Sequence, residues 1–231
     1  MKVAREISNS INWLLDNLLP PVIRDSKFLM TPLMRVVLGP KYRYYLNFKQ
    51  RLPFMSDAEI ESYYTILADT FIERKSDLNN KSIDFILKHL EGDSVIDVGC
   101  GRGYLISEIA KLGIPAVGFD VAVAPGFRDG ITYQNGSILN LPYADKSFDT
   151  VICAHVLEHI RNIDAALNEI KRITKKRLII VLPKQREYKY TFDLHIHFFP
   201  YLFDFQNLIQ SPDARYYEFD KDFLCVIQMS Q

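Results

Sequence analysis

Residues 94–105 read Ser-Val-Ile-Asp-Val-Gly-Cys-Gly-Arg-Gly-Tyr-Leu, and no other stretch constrains the fold as much. An apolar run leads into three glycines at alternate positions, and a helical pattern follows. Glycines at 99, 101 and 103 let the backbone turn sharply and approach a ligand closely, because no Cβ intrudes. The helix that follows aims its free N–H groups and positive dipole end at the loop, which favours a carboxylate or phosphate there. The spacing is G-x-G-x-G. The dinucleotide fingerprint is G-x-G-x-x-G, which the chain does not satisfy, since Tyr104 and Leu105 follow Gly103. Asp97 stands just before the first glycine. A carboxylate there would repel a pyrophosphate but can accept hydrogen bonds from an ammonium.

From residue 81 onward, short apolar runs alternate with helical stretches. The predicted strands are Ser94–Val98, Ala116–Phe119, Ile131–Gln134, Thr150–Ala154 and Leu178–Leu182. The predicted helices are Lys81–Leu90, Tyr104–Leu112 and Asp164–Ile173. Short buried strands separated by helices indicate a parallel sheet covered on both faces. Arg215–Phe219 and Phe223–Met229 read as two more strands, and the short turn Asp220-Lys221-Asp222 between them suits an antiparallel hairpin.

Three further cues lie downstream of the loop. Val117-Gly-Phe-Asp120 is a strand ending in an acid, 21 residues past Gly99. A carboxylate at that strand tip can bridge two ribose hydroxyls. Asn135-Gly136-Ser137-Ile138 precedes Leu141-Pro142, and Phe148-Asp149 opens a segment that ends in His155-Val-Leu-Glu158-His159. Together these cues resemble the class I S-adenosylmethionine-dependent methyltransferases, within the large group that carries a D-x-G-x-G-x-G loop and an L-E-H segment. The resemblance covers about residues 92–183, with weaker support to the C-terminus, and does not reach residues 1–80. It implies an α/β fold: a Rossmann-like seven-stranded sheet closed by a C-terminal antiparallel hairpin. It also implies S-adenosyl-L-methionine as cofactor. Asp97 would take its ammonium, Gly99, Cys100 and Gly101 would line the methionine part, and Asp120 would hold the ribose. Val121 would lie beside the adenine, Ser137 and Ile138 would flank it, and Ala154 would complete the pocket. Many members have an aspartate where Ser137 stands, which leaves its contact with the adenine amino group open.

Four of the five histidines fall in two tight groups, His155 with His159 and His195 with His197. The first follows the fourth predicted strand and the second follows the fifth. In a helix, His155, Glu158 and His159 would share one face. With His197 they make a candidate divalent-metal set. The pattern is similar to the E-x-x-E-H segment, with a later histidine, of the plant small-RNA 3′-end 2′-O-methyltransferases, and to a segment of the ubiquinone-pathway O-methyltransferases. His155 replaces the first glutamate, and imidazole suits zinc, iron, manganese or nickel better than magnesium. Alternatively His155 or His159 is a metal-free general base, or the segment only stabilises its loop.

Residues 1–80 are expected to form an N-terminal helical extension or lid, and 81–231 the methyltransferase domain. Pro20-Pro21, Pro32, Gly39-Pro40 and Pro53 divide the extension into short pieces. Ser56, with Glu59 three residues on, predicts a helix start, with the helix running to about Arg74. Up to Arg51 there are nine basic residues against three acidic ones, a partner surface or simply a solvated flank. Over the whole chain, 28 basic residues balance 28 acidic ones, which speaks against a dedicated nucleic-acid binder. Cys100, Cys153 and Cys225 are far apart and form no C-x-x-C pair, as expected of a reduced cytosolic chain. The first apolar run, Ile11 to Leu19, is too short and too polar to span a membrane. The expectation is a soluble, cytoplasmic enzyme, with a homodimer compatible with it. Its acceptor would be a small molecule or glycan, methylated on oxygen. Residues 183–200 supply Lys184, Arg186 and Lys189 for an anion and Tyr188, Tyr190 and Phe192 for stacking on a sugar or ring, or else form an aromatic-packed loop under the N-terminal extension. The rival readings are an RNA 2′-O-methyltransferase and a non-catalytic partner protein that binds S-adenosylmethionine.

Overall fold

A computed structural model describes residues 3–4, 18, 20–67, 72–73, 76–190 and 192–229. The chain divides into two compact units. One comprises Met1–Lys75 with Glu187–Ile196, the other Ser76–Arg186 with His197–Gln231.

The first unit holds β1 (Val3–Ala4), paired in parallel with β2 (Ile72–Glu73), and the helices Pro21–Arg24, Lys27–Leu38, Tyr42–Arg51 and Asp57–Leu67. The last of these starts where the sequence predicts. The Glu59 N–H donates to Ser56 Oγ at 3.2 Å, and Glu59 Oε2 accepts from the Ser56 N–H at 2.7 Å. Its described part ends at Leu67, and Ile72–Glu73 is strand, so the helix does not reach Arg74. Pro21, Pro40 and Pro53 sit at the starts of short helical turns, as helix-entry residues should. Pro32 is the exception, for Lys27–Leu38 runs through it. It sits on an exposed side, where water can serve the carbonyl that its missing N–H leaves unbonded. Met30, Met34, Leu38 and Leu46 pack with Tyr190, and Phe48, Ile60, Tyr63 and Leu67 pack with Leu194. The run Ile11 to Leu19 lies outside the described residues except for Leu18.

The second unit is a sheet of β3 (Val95–Val98), β4 (Ala116–Asp120), β5 (Gly126–Arg128), β6 (Ile131–Asn135), β7 (Phe148–Ala154), β8 (Thr174–Pro183), β9 (Ala214–Phe219) and β10 (Asp222–Gln228). Its order is β5-β6-β4-β3-β7-β8-β10-β9. Strands β6, β4, β3, β7 and β8 are parallel, and β10 runs antiparallel to both β8 and β9. This is the expected seven-stranded arrangement with its closing hairpin. Asp222 pairs with Phe219 across a two-residue turn in which Asp220 takes a φ of 53°. An eighth strand, β5, adds an antiparallel edge.

The central strands are buried on both sides and alternate between two cores. Ile96, Val98, Val151, Cys153, Leu178, Ile180, Phe223 and Cys225 face helices Ile163–Ile173 and Leu202–Ile209. Val95, Ile152, Ile179, Val181 and Leu224 face Asn80–Lys88 and Tyr104–Ala110. The helices start at polar caps: Asn79 Oδ1 accepts from the Ser82 N–H at 2.9 Å and Asn162 Oδ1 from the Ala165 N–H at 3.2 Å. The order of strand addition reverses between the parallel neighbours β3 and β7, the switch point at whose carboxyl edge open α/β sheets bind ligands.

Candidate active site

The glycine loop leaves β3 and enters helix Tyr104–Ala110 with Gly99, Gly101 and Gly103 at φ of 83°, 52° and 79°. Their reasons differ. A Cβ on Gly99 would lie 2.0 Å from Val156 Cγ2, and one on Gly103 would lie 2.5 Å from the Tyr133 hydroxyl. These two glycines are needed for close packing. A Cβ on Gly101 would meet nothing within 4 Å, so the middle glycine borders open space. The loop is pinned to the end of β4. The N–H groups of Gly99 and Cys100 donate to the Phe119 carbonyl at 2.7 and 3.1 Å, and the Gly101 N–H donates to Asp120 Oδ2 at 2.9 Å. Asp120 Oδ1 accepts from the Ala122 N–H at 2.9 Å. The Gly136 N–H reaches the Asp120 carbonyl at 3.4 Å, which ties the Ser137–Ile138 turn to the same strand tip. Ile138 is buried, whereas Val121, Ser137 and Ala154 are partly exposed. Ser137 Oγ accepts from the Leu139 N–H at 3.3 Å.

Asp97 is 3% exposed at the foot of this loop. Burial, with the Asp120 charge adding to it, pushes its carboxyl up to about 7. A buried carboxylate facing a second one is a site that gains from a bound cation. The open space beside Gly101, buried Asp97 and the strand-tip acid Asp120 thus fit the three parts of S-adenosylmethionine that the sequence resemblance assigns to them. The Cys100 thiol is driven far up by burial and by both carboxylates, so it is an inert wall.

The histidines are arranged differently from expectation. Leu157–His159 is a single 3-10 turn, and His155 stands before it at φ 56°, so His155, Glu158 and His159 do not share a helical face. His155 continues the β7–β8 ladder, its N–H donating to the Val181 carbonyl at 2.9 Å. Its Nε2 meets Asp222 Oδ1 at 3.0 Å. The other oxygen of Asp222 accepts from Asn79 Nδ2 and Ser82 Oγ, each at 2.7 Å. Burial opposes protonation of His155, but the Asp222 hydrogen bond and the charges of Glu158, Asp222 and Asp77 outweigh it and lift its pKa to about 9. The pairing with Asp222 favours the imidazolium form of His155 at neutral pH, which weighs against His155 as the general base.

The candidate metal set is not assembled either. No three of His155, Glu158, His159 and His197 bring ligand atoms within 4.8 Å of one another among the described residues. His155 is turned to Asp222, and His197 Nε2 donates to the Ile160 carbonyl at 2.9 Å. Glu158 is fully buried, and its carboxyl is raised by burial against the pull of His159 and His155. His159 Nε2 stands 3.8 Å from Glu158 Oε1 and is partly exposed. Both imidazoles are partly exposed, but His155 is engaged by Asp222, whereas His159 is not turned to that carboxylate.

In the segment after β8 the aromatic residues take the packed alternative. Tyr188 and Tyr190 are buried, with the Arg24 guanidinium 3.8 Å from the Tyr188 ring centroid, and Phe192 packs beside Tyr190. These rings are core of the first unit and are not free to stack on a ligand. Lys184 pairs with Glu218. Sequence reasoning missed Asp222, which lies 67 residues from its partner His155 and reads as a turn residue.

Residues 96–182 match the family described as Methyltransferase domain. The sheet order and the closing hairpin give the chain the Rossmann-like fold of methyltransferases, in which this matched segment lies. Among curated relatives, the chain is 33% identical over 111 residues to a ubiquinone biosynthesis O-methyltransferase from Hahella chejuensis, covering 43% of this chain and 47% of that protein. It is 29% identical over 101 residues to norajmaline N-methyltransferase from Rauvolfia serpentina, covering 38% and 35%. The chain spans about half the length of the curated relatives it matches, or less. Among solved structures, magnesium protoporphyrin IX methyltransferase from Synechocystis, with bound SAH, shares the fold at a TM-score of 0.51 and 17% identity, covering 76% of this chain and all of that one.

Proposed function

We propose that the chain transfers a methyl group from S-adenosylmethionine to a hydroxyl oxygen of a small molecule or glycan. The observation that carries this reading is the glycine loop, with open space at Gly101 between buried Asp97 and strand-tip Asp120. The name of the Hahella relative supports oxygen as the accepting atom. When bound, S-adenosylmethionine supplies a methyl group on a positively charged sulfur, open to in-line displacement. Asp97 accepts from its ammonium, Gly99, Cys100 and Gly101 line the methionine part, and Asp120 accepts from the ribose hydroxyls. Val121, Ser137 and Ile138 enclose the adenine, and Ala154 closes the wall at the end of β7. Most of the rate comes from holding donor and acceptor in line.

His159 is the base in this reading. It takes the hydroxyl proton as the methyl group moves, with Glu158 next to it to favour the imidazolium that forms. His155 holds the end of β7 in place. In this reading 81–231 is the methyltransferase domain and carries the transfer step, with 1–80 an extension to it.

The test is tritiated methyl transfer from S-adenosylmethionine across a panel of hydroxylated acceptors. Once an acceptor is found, His159→Ala is expected to lower kcat by about 100-fold at neutral pH. Incorporation only into amines would overturn the oxygen assignment, and unchanged turnover in His159→Ala would remove the base.

A further inference from the structure

The helix Lys27–Leu38 is apolar on two sides. Met30, Met34 and Leu38 form the side buried in the first unit. The opposite stripe holds Phe28, Leu29, Pro32 and Val36, with Phe28 87% and Val36 78% exposed. Val22 and Ile23, on the short helix before it, are exposed as well. A helix that is apolar all round is normally buried all round, so this stripe lacks a cover among the described residues.

Charge restricts what the cover can be. From Lys27 to Arg51 the chain has six basic residues and no acidic one. Lys27 opens the helix, and Arg35 lies two turns beyond Phe28 on the same stripe. Among the described residues, Lys27, Arg35, Arg43 and Arg51 form no ion pair with a carboxylate; Arg35 and Arg43 lie against the Tyr42 ring and Arg51 against Tyr63. A second copy of the chain is a poor cover. In a two-fold contact the same patch meets itself, and Arg35, on the stripe itself with no acid between Lys27 and Arg51, would face like charge.

We propose that the Phe28–Val36 stripe is a docking surface for an anionic lipid bilayer, on which the helix lies in the interface plane. The apolar stripe enters the acyl boundary, and Lys27 and Arg35 meet lipid phosphates. No helix among the described residues is long and apolar enough to cross a membrane, which suits a surface-lying mode. The proposal rests on the first unit alone and stands whether or not the methyl-transfer reading holds.

The experiment is co-sedimentation of the full chain with vesicles of phosphatidylcholine alone and of phosphatidylcholine with about one third phosphatidylglycerol. Two double variants accompany it: Phe28→Ser with Val36→Ser, and Lys27→Glu with Arg35→Glu. All four positions are exposed, and circular dichroism and thermal melting check that each variant folds as the parent does. The expected result is partitioning at least about tenfold stronger onto the anionic vesicles, weakened by salt. The serine variant should bind neither vesicle, and the charge-reversed one should lose its preference for phosphatidylglycerol. A chain that stays in the supernatant with both vesicles overturns the proposal. So does binding unchanged in the serine variant. Sedimentation velocity supplies the remaining outcome: a dimer that the serine variant dissolves would assign the stripe to a second copy and overturn the lipid assignment.

Discussion

Two carboxylates in this chain serve opposite ends. Asp222 is ionised and satisfied, with His155, Asn79 and Ser82 all donating to it. Asp97 is buried without a comparable donor set and is pushed up to about 7. An Asp raised above its ordinary value makes the folded state hold a proton that the unfolded chain releases. Its effect on stability is neutral below about 4 and increasingly unfavourable as pH rises through 7. Asp97→Asn removes that strain and should raise the melting temperature of the ligand-free chain at pH 8 by roughly 3–6 °C. The same change should weaken S-adenosylmethionine at least about tenfold, because the ammonium loses its counter-charge. Scanning fluorimetry and calorimetry check the two halves together. A variant that gains stability and keeps its affinity would take Asp97 out of the binding site.

His155 gives the same sign of pH dependence over a higher window, but here it is the charged form that the fold favours. Its pKa is raised from 6.5 to about 9, so its contribution is fully present below about 6.5 and lost as pH rises through 9. Urea unfolding should show the chain losing stability between pH 7 and pH 10. Asp222→Asn should flatten that loss and cost about 3 kcal/mol at pH 7, because it leaves a buried imidazolium without its partner. If parent and variant run parallel across the range, the pair carries no such role.

Among the elements, the glycine loop divides its labour. Gly99 and Gly103 are fixed by Val156 and Tyr133, whereas Gly101 borders open space. Gly99→Ala should therefore act through folding, by driving a methyl group into Val156 and displacing the turn after β7. Gly101→Asn should act through binding, since asparagine tolerates the φ of 52° and its side chain enters the space assigned to the cofactor. The measurement is the melting temperature set against cofactor affinity, with Gly99→Ala lower in both and Gly101→Asn reduced mainly in affinity.

The elements also show what the sequence made legible. Runs such as Leu178–Leu182 are buried on both faces, and uninterrupted hydrophobicity announces such strands. Strand β5 is exposed at all three residues, so no burial pattern marks it. Helix Leu202–Ile209 was missed because it begins at Tyr201 without a small polar cap, its Asp204 carboxylate reaching back to the Tyr201 N–H at 3.2 Å. The expected helical face of His155, Glu158 and His159 was lost to one left-handed residue, His155, which local spacing gives no reason to expect. Its cause is the distant Asp222, and only the folded hairpin brings that residue near.

At the scale of the molecule, two chemistries are segregated by sequence. Residues 96–182 carry the methyltransferase match, the glycine loop, Asp120 and the Leu157–His159 turn. The first unit carries the acid-free basic run and the exposed apolar stripe. A net charge of zero conceals this division, so whole-chain composition could not reveal it. The aromatic segment after β8 illustrates the same limit: its composition suggested ligand contact, but Tyr188, Tyr190 and Leu194 are buried in the first unit. Composition records which residues are available. Which side they face depends on contacts made across more than a hundred residues.

The central claim is that the loop from Asp97 to Gly103, with Asp120, binds S-adenosylmethionine. Isothermal calorimetry on the full chain at neutral pH tests it most directly, with S-adenosylmethionine titrated into the parent and into Gly101→Asn, whose side chain tolerates the left-handed backbone of that position. The account predicts saturable one-to-one binding to the parent and affinity reduced by at least about tenfold in the variant, consistent with a ligand seated against the loop. No heat of binding to the folded parent, or a Gly101→Asn titration indistinguishable from it, would contradict the account.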